Sequence, residues 1–548
     1  MPTTPDVLNQ PGPLQDYDVF ASDPALVEAV DREVGPDAVD GLGELGRRAG
    51  SAEAFEWGRL ANANPPVLRT HDRFGNRIDE VEYHPAYHQL MTVAVEHGLH
   101  ASPWSQPEGS GAHVTRAAGF SLWSQVEAGH GCPISMTYAV VPALRTQGEL
   151  AAVWEPRLTT RDYEGRSRPA SDKLGALAGM AMTEKQGGSD VRANITTAVP
   201  VDGGGPGGEY LLTGHKWFCS APMGDLFLML AQAPGGLSCF AVPRWLPDGT
   251  RNPIAIQRLK DKLGNRSNAS AEIEFDNVWG QSVGEEGRGV PTIISMVNHT
   301  RLDCVIGATA GMRQALSQAI HHCSHRSAFG RRLVEHPLMA NVLADLAIEA
   351  EAATATMIRL AAAYDRGDDD HDAPLRRIAT AASKYWICKR QPTFVAEALE
   401  CVGGNGYIEE SMLPRLFRES PLNGIWEGSG NVMCLDVLRA MLRTPSSVEA
   451  FRVEVDSASG GDARLDSAVA RIKADLSDLD HLEHRARRVV ERMVLVLQGS
   501  LLVRYSPHAV ADAFCASRLG DDWGHAFGTL PRGLDLDAII ARAAPAVA

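Results

Sequence analysis

The chain has 548 residues, of which 44% are apolar, 22% charged and 6% aromatic, a globular composition too long for a single core. Its formal net charge of −16 opposes nucleic-acid binding by the chain as a whole, and no run approaches the roughly 18 apolar residues of a membrane span. Nine cysteines scattered singly, and an N-terminus with neither a basic nor an apolar leader region, point to a reduced, cytoplasmic setting without disulfides or a zinc ribbon.

Residues 1–180 read as a helical domain with many breaks. "DPALVEAVDREV" and "FSLWSQVEAGHG" carry helical spacing, and joints such as "ANANPPVL" divide the pieces. "GLGELG" at Gly41–Gly46 spells a dinucleotide fingerprint, but no buried strand precedes it, so it carries little weight. From 181 to 283 the pattern changes to short apolar or alternating runs, among them "EYLLTGHKWFCSA", "LFLMLAQA" and "AEIEFDNVW". These predict a middle β domain of sandwich or barrel type, with "VDGGGPGGEY" as a surface hairpin tip. Residues 284–443 predict a four-helix bundle with helices over 291–326, 336–365, 373–402 and 430–443. Residues 444–548 predict a further helical domain. The fold class is mainly α with a middle β domain.

No metal site is expected. "HHCSH" at His321–His325 spreads its ligands around a helix, and "DRGDDDHDAP" lacks the Gly and spaced Glu of a calcium loop.

Two stretches suggest a ligand. "MAMTEKQGGSDVRANIT" combines Thr183, the adjacent Gly187 and Gly188, and Ser189, where glycines allow close backbone approach and hydroxyls supply hydrogen bonds. "GHKWFCSA" sets Trp217 and Phe218 beside Ser220, an aromatic plane next to a hydroxyl that suits a flat heterocycle. A capped turn and ordinary core residues are the plain alternatives. A third stretch, "NGIWEGSGNVM", places Glu427 between an indole and a Gly-Ser-Gly turn.

In their order, these stretches resemble the acyl-CoA dehydrogenase family. "KDKLGNRSNASAEIEFDNV", "TRLDCVIGATAGM", "HRSAFGRRL", "LECVGGNGYIEE" and "IWEGSGNVMCLDVLRA" follow in family order, so the likeness spans roughly residues 50–443. "NQPGPL", "MTEKQGGSD" and the added helical domain are similar to a branch tied to the response to DNA alkylation. The resemblance implies non-covalent FAD, a homotetramer, an acyl-CoA substrate and Glu427 as the base that takes the α-proton. It implies that Met182, Thr183, Gly188, Ser189, Trp217, Phe218 and Ser220 line the isoalloxazine and ribityl chain. Arg326 and Phe329, with Gly403, Gly404 and Gly406, then meet the adenine-diphosphate half of a neighbouring subunit's FAD, and Ser429 and Asn431 close over the adenosine. Some members carry their base at the start of the bundle, where this chain has Thr300, which cannot serve. Glu400, where Gln is usual, and Lys185 with Gln186, which replace the usual rim, depart from the pattern and argue against an ordinary fatty acyl-CoA.

The branch also implies contact with duplex DNA. Residues 445–548 hold 12 Lys+Arg against 15 Asp+Glu, a net 12 − 15 = −3, so the added domain is no basic module. Arg485, Arg488 and Arg492 nevertheless share one helix face beside an apolar face of Val490, Met493 and Leu497, and Arg518 beside Asp521 and Asp522 is a second candidate. Three readings stay open: a metabolic dehydrogenase, a DNA-associated flavoprotein, and a flavin-binding interaction protein without turnover. The intact Glu427 speaks against the last.

Overall fold

A computed structural model describes residues 6–478, 480–520 and 522–546. The chain opens with helices α1 (Pro24–Glu33), α2 (Pro36–Ala49) and α3 (Ala52–Ala63). Asp23 caps α1 by accepting from the Leu26 amide at 3.3 Å, and Pro24 and Pro36 stand where a helix needs no amide hydrogen. The "GLGELG" run lies inside α2, on helical backbone, so it forms no phosphate loop.

A hairpin follows, β1 (Val67–His71) with β2 (Arg77–Glu82). The sequence pattern predicts no strands here. Most of the hairpin's side chains stay partly exposed, so it lacks the apolar alternation that marks a half-buried strand. Next come α4 (Pro85–Glu96), α5 (Ala112–Ser124), α6 (Gly131–Leu144) and α7 (Gly148–Leu158).

Seven strands then form one sheet: β3 (Ala178–Ala181), β4 (Thr197–Pro200), β5 (Glu209–Ser220), β6 (Leu226–Ala233), β7 (Gly236–Pro243), β8 (Ile254–Leu259) and β9 (Ser270–Ser282). Pairings run β6–β4–β5–β9–β7 and back to β6, closing a barrel-like circuit, with β3 parallel to β6 and β8 on β9. The glycine-rich stretch after β4 is the tip of the antiparallel β4–β5 hairpin. Both faces of β6 are buried. Leu226, Leu228 and Leu230 enter a core with α6, α7 and the start of the next helix, while Phe227, Met229 and Ala231 enter the barrel core with β5, β8 and β9.

The remaining chain is helical apart from a short antiparallel hairpin, Ser327–Ala328 with Arg331–Arg332: α8 (Gly289–His325), α9 (Pro337–Asp365), α10 (Asp372–Val402), α11 (Leu413–Glu419), α12 (Gly430–Arg443), α13 (Ser446–Asp456), α14 (Ala463–Ser477), α15 (Leu482–Tyr505), α16 (His508–Phe514) and α17 (Leu536–Ala543). The four bundle helices fall within two residues of the ranges the sequence predicts. Among the described residues, no helix is long and apolar enough to cross a membrane.

The chain divides into two compact units, each discontinuous in sequence, and the last boundary between them falls within α8. One unit comprises Glu53–Pro107 and Val126–Asp303 and contains the sheet. The other comprises Met1–Ala52, Glu108–Gln125 and Cys304–Ala548. In this second unit α10 packs against α9, α12, α13 and α15. Asp365, at the end of α9, caps α5 by accepting from the amides of His113 and Val114 at 2.8 and 2.9 Å.

Candidate active site

In the sheet-containing unit, the two ligand stretches lie side by side. The Trp217 amide donates to the Thr183 carbonyl at 2.8 Å, and the Lys185 amide donates to His215 Nε2 at 3.0 Å. Beneath them Lys216 Nζ donates to Glu184 Oε1 at 2.8 Å and to the Leu230 carbonyl at 2.7 Å. Glu184 also accepts from the Ile195 amide at 2.7 Å and from Gln186 Nε2 at 2.8 Å. Burial alone would raise the Glu184 carboxyl, but the bonds from Lys216, Thr196 and Ile195 outweigh it and hold the group at about 2. Burial pushes the Lys216 ammonium down.

This inner pair fixes the backbone of the rim. Gly187 has φ +128°, which only glycine adopts freely, and a β-carbon on Gly188 would run into the Thr183 hydroxyl. Ser189 is exposed, and Met182 is half-buried with its carbonyl accepting from Asn194 Nδ2 at 3.0 Å.

The β5–β9 register shifts between Lys216 and Cys219, which breaks strict alternation. Both aromatic rings therefore meet one ammonium: Lys260 Nζ lies 3.5 Å from the Trp217 ring centre and 4.7 Å from that of Phe218. Lys260 is paired with Glu272 at 2.6 Å. Phe218 remains 49% exposed, and the Ser220 hydroxyl lies 3.1 Å from that of Ser270. An uncovered ring, nearby hydroxyls and a glycine backbone that permits close approach fit a flat heteroaromatic group such as a flavin.

In the helical unit, Glu427 lies in the loop ahead of α12. It is half-buried, with φ +57°, and Gly428 follows at φ +102°. Glu427 is not a first-turn helix acid, because Ser429 is the N-cap and α12 begins at Gly430. Ser429 makes no side-chain cap, which leaves its hydroxyl for other use. Trp426, the residue before Glu427, donates from Nε1 to Asn423 Oδ1 at 2.8 Å, which fixes the indole against its own loop. The Asn431 carboxamide is engaged by Arg487 Nε at 2.8 Å.

Arg326 and Phe329 follow α8, and Gly403, Gly404 and Gly406 follow α10. Both groups meet the same N-terminal segment. Arg326 donates to the Asn9 carbonyl at 2.8 Å, the Asn9 side chain exchanges two hydrogen bonds with the Ser327 backbone, and Asn405 Nδ2 donates to Gln10 Oε1 at 2.8 Å. Phe329 is 97% exposed. The Glu427 loop docks at Lys384 and the glycine turn begins at Gly403, nineteen residues along α10, or roughly 28 Å at 1.5 Å per residue. One subunit therefore keeps these two groups well apart along one helix, the loop at its middle and the glycine turn at its C-terminus.

The arginines expected to face DNA differ in fate. Arg518 is a correction: its side chain is only 1% exposed and pairs with Asp345 at 2.5 Å and Glu349 at 2.9 Å, so it cannot reach a phosphate. Its neighbour Asp521 lies outside the described residues. Arg485 holds Asp478 at 3.0 Å, and Arg492 holds Asp475 at 2.6 Å. Arg488 is exposed on the same helix. Val490, Met493 and Leu497 are buried, as their spacing predicts.

The sequence reading assigns no role to three buried residues behind these stretches, Glu184 and Lys216 in the sheet-containing unit and Lys384 in the helical unit. The first two sit inside the quoted motifs. Lys384 is the single charge in "IATAASKYWIC", a signal that a cation is being buried for a reason.

The chain is similar to known proteins along most of its length. Residues 9–165 match the family described as adaptive response protein AidB N-terminal domain, 179–278 the acyl-CoA dehydrogenase middle domain, and 287–442 the acyl-CoA dehydrogenase C-terminal domain. The chain is 46% identical to the putative acyl-CoA dehydrogenase AidB of Escherichia coli (strain K12), over 93% of this chain and 94% of that protein. Its fold is similar to Caenorhabditis elegans ACDH-11 in complex with C11-CoA, with a TM-score of 0.84 and 26% identity over 94% of this chain and 93% of that one. It is also similar to Bd2924 in its apo form, with a TM-score of 0.83 and 30% identity over 91% and 99%. Solved acyl-CoA dehydrogenases of the same fold carry FAD or FADH2. With a matching middle domain, bundle and N-terminal domain in the same order, the chain belongs to the acyl-CoA dehydrogenase family.

Proposed function

We propose that this protein is an FAD-dependent acyl-CoA dehydrogenase of the AidB type, cytoplasmic and tetrameric, in which Glu427 takes the α-proton of an acyl thioester. The observation that carries this reading is the setting of Glu427, a half-buried carboxylate held on left-handed backbone beside Trp426. A carboxylate there gains proton affinity when a bound thioester expels water. The alternative position is unsuited, because the Thr300 hydroxyl donates to the Val297 carbonyl at 3.0 Å and carries no base. When bound, FAD supplies the hydride acceptor. Met182, Thr183, Gly188, Ser189, Trp217, Phe218 and Ser220 would hold its ring system and ribityl chain, and Ser429 and Asn431 its adenosine side. Arg326, Phe329 and the Gly403–Gly406 turn would serve a neighbouring subunit's cofactor. The separation along α10 and the exposed Phe329 ring support that assignment.

The rim favours an unusual acyl group. Gln186 Nε2 ties Glu184 to the Ala193 carbonyl, and the Lys185 ammonium lies 5.7 Å from the Trp217 ring centre, so polar side chains stand at the proposed entrance. Anaerobic mixing of the yellow protein with a panel of acyl-CoA thioesters tests the reading. Bleaching of the flavin by at least one of them is expected, and a flavin unchanged by the whole panel would overturn it.

Duplex DNA contact in the alkylation response is the second part of the proposal, supported by the likeness to AidB. With Arg485 and Arg492 already paired and Arg518 buried, the contact would be weak, non-specific and centred on Arg488.

A further inference from the structure

Lys384 lies in α10 with 1% of its surface exposed, and its ammonium faces backbone carbonyls of the active-site loop. Nζ donates to the carbonyl oxygens of Asn423 at 2.9 Å, Trp426 at 2.8 Å and Gly428 at 2.8 Å. A lysine ammonium has three N–H donors and no acceptor, and only the protonated form offers all three. Here each donor has one carbonyl. Two of those carbonyls flank Glu427 in the chain, and the third belongs to the residue whose side chain holds the Trp426 indole.

The loop needs such a hold. Glu427 and Gly428 are consecutive residues at positive φ, +57° and +102°, and a non-glycine residue persists in that region only where its surroundings enforce it. Loop carbonyls turned into the protein must also find donors. We propose that Lys384 is a positioning residue for the proposed reaction: by gripping the backbone on both sides of Glu427, it fixes where the carboxylate stands when the α-proton is taken. This inference rests on the reading of Glu427 as the base. Lys384 itself touches no substrate, and its effect is geometric, since misplacing a base by an ångström costs rate before it costs binding.

The test uses the full-length holoenzyme and an acyl-CoA that bleaches the wild-type flavin. In Lys384→Met, hydrogen–deuterium exchange should rise over 421–432 and leave the rest of the chain unchanged. The limiting rate of flavin reduction should fall at least tenfold with acyl-CoA affinity changed by less than about threefold, and the pH profile of that rate should shift. Lys384→Arg, which keeps the charge and donors, should recover part of the rate, and it carries the test where the Met variant does not fold. Wild-type exchange and rate in Lys384→Met, or equal losses of rate and affinity in both variants, would overturn the proposal. Glu427→Gln separates the two ideas. If Glu427→Gln reacts at the wild-type rate while Lys384→Met loosens the loop, the base assignment fails and the clamp stands. If Glu427→Gln is inert while Lys384→Met is unchanged, the clamp fails and the base stands.

Discussion

Lys216 Nζ lies 2.8 Å from Glu184 Oε1, and both side chains are wholly buried. The pair joins the two stretches of the sheet-containing unit that the resemblance assigns to the flavin. Neither group points outward, so its role is to hold the rim from beneath. Lys216→Met should therefore leave an unpaired buried carboxylate and cost about 3–5 kcal/mol. Thermal unfolding measures the cost, and retained flavin on gel filtration measures the rim. A variant with wild-type melting temperature and flavin content would contradict this role.

Acid should act on the same pair. Glu184, Glu127 and Glu454 are each held at about 2, against an ordinary value of 4.5. In every case burial opposes the charge, and bonds from Lys216, His130 and Arg359 respectively overcome it. A depressed folded value favours folding fully above the unfolded value, and that gain is lost as pH falls through the folded one. Stability should be flat from pH 7 to about 5 and decline from about 4.5 toward 2. Denaturant melts across that range check it, and a stability that rises on acidification would refute the assignment.

Glu427→Gln should keep its shape and the flavin while losing proton abstraction. The expected loss in flavin-reduction rate is about a hundredfold or more. Stopped-flow mixing with a thioester that bleaches the wild type decides it, and an unchanged rate would move the base elsewhere.

Arg326→Ala should weaken cofactor retention and assembly together, because Arg326 is proposed to serve a cofactor across an interface. It would also release the Asn9 carbonyl. Light scattering and the flavin-to-protein ratio measure both, and a yellow tetramer in the variant would remove the assignment.

For DNA, Arg488→Ser should reduce both duplex affinity and the salt slope, by about 0.9 in the log–log slope for each phosphate no longer neutralised. Arg485→Ser and Arg492→Ser should matter less, since their partners Asp478 and Asp475 already hold them. Arg518→Met should lower stability without touching DNA affinity, because it takes the arginine from buried Asp345 and leaves Glu349 with Arg390 alone. Anisotropy over a salt series separates these outcomes. Tight binding that ignores salt would contradict the electrostatic account.

The sequence by itself determined the long helices, because their apolar spacing is local and repeats over many turns. α9, α10 and α12 begin and end where that spacing does. It also determined the buried strands of the sheet and the ordered motifs around Glu427, since these are contiguous stretches. The exposed β1–β2 hairpin escaped it for want of an apolar face. Only the tertiary structure decided what the buried charges do. Arg518 looks like a free cation on its own segment, yet its partners Asp345 and Glu349 lie 173 and 169 residues away. Lys384 shows in the sequence only as a lone charge in an apolar run, yet its three acceptors are backbone carbonyls 39 to 44 residues on. Periodicity reports which face of an element is apolar. It carries no record of which distant oxygen a buried cation will meet, and desolvation makes that meeting obligatory once the cation is inside.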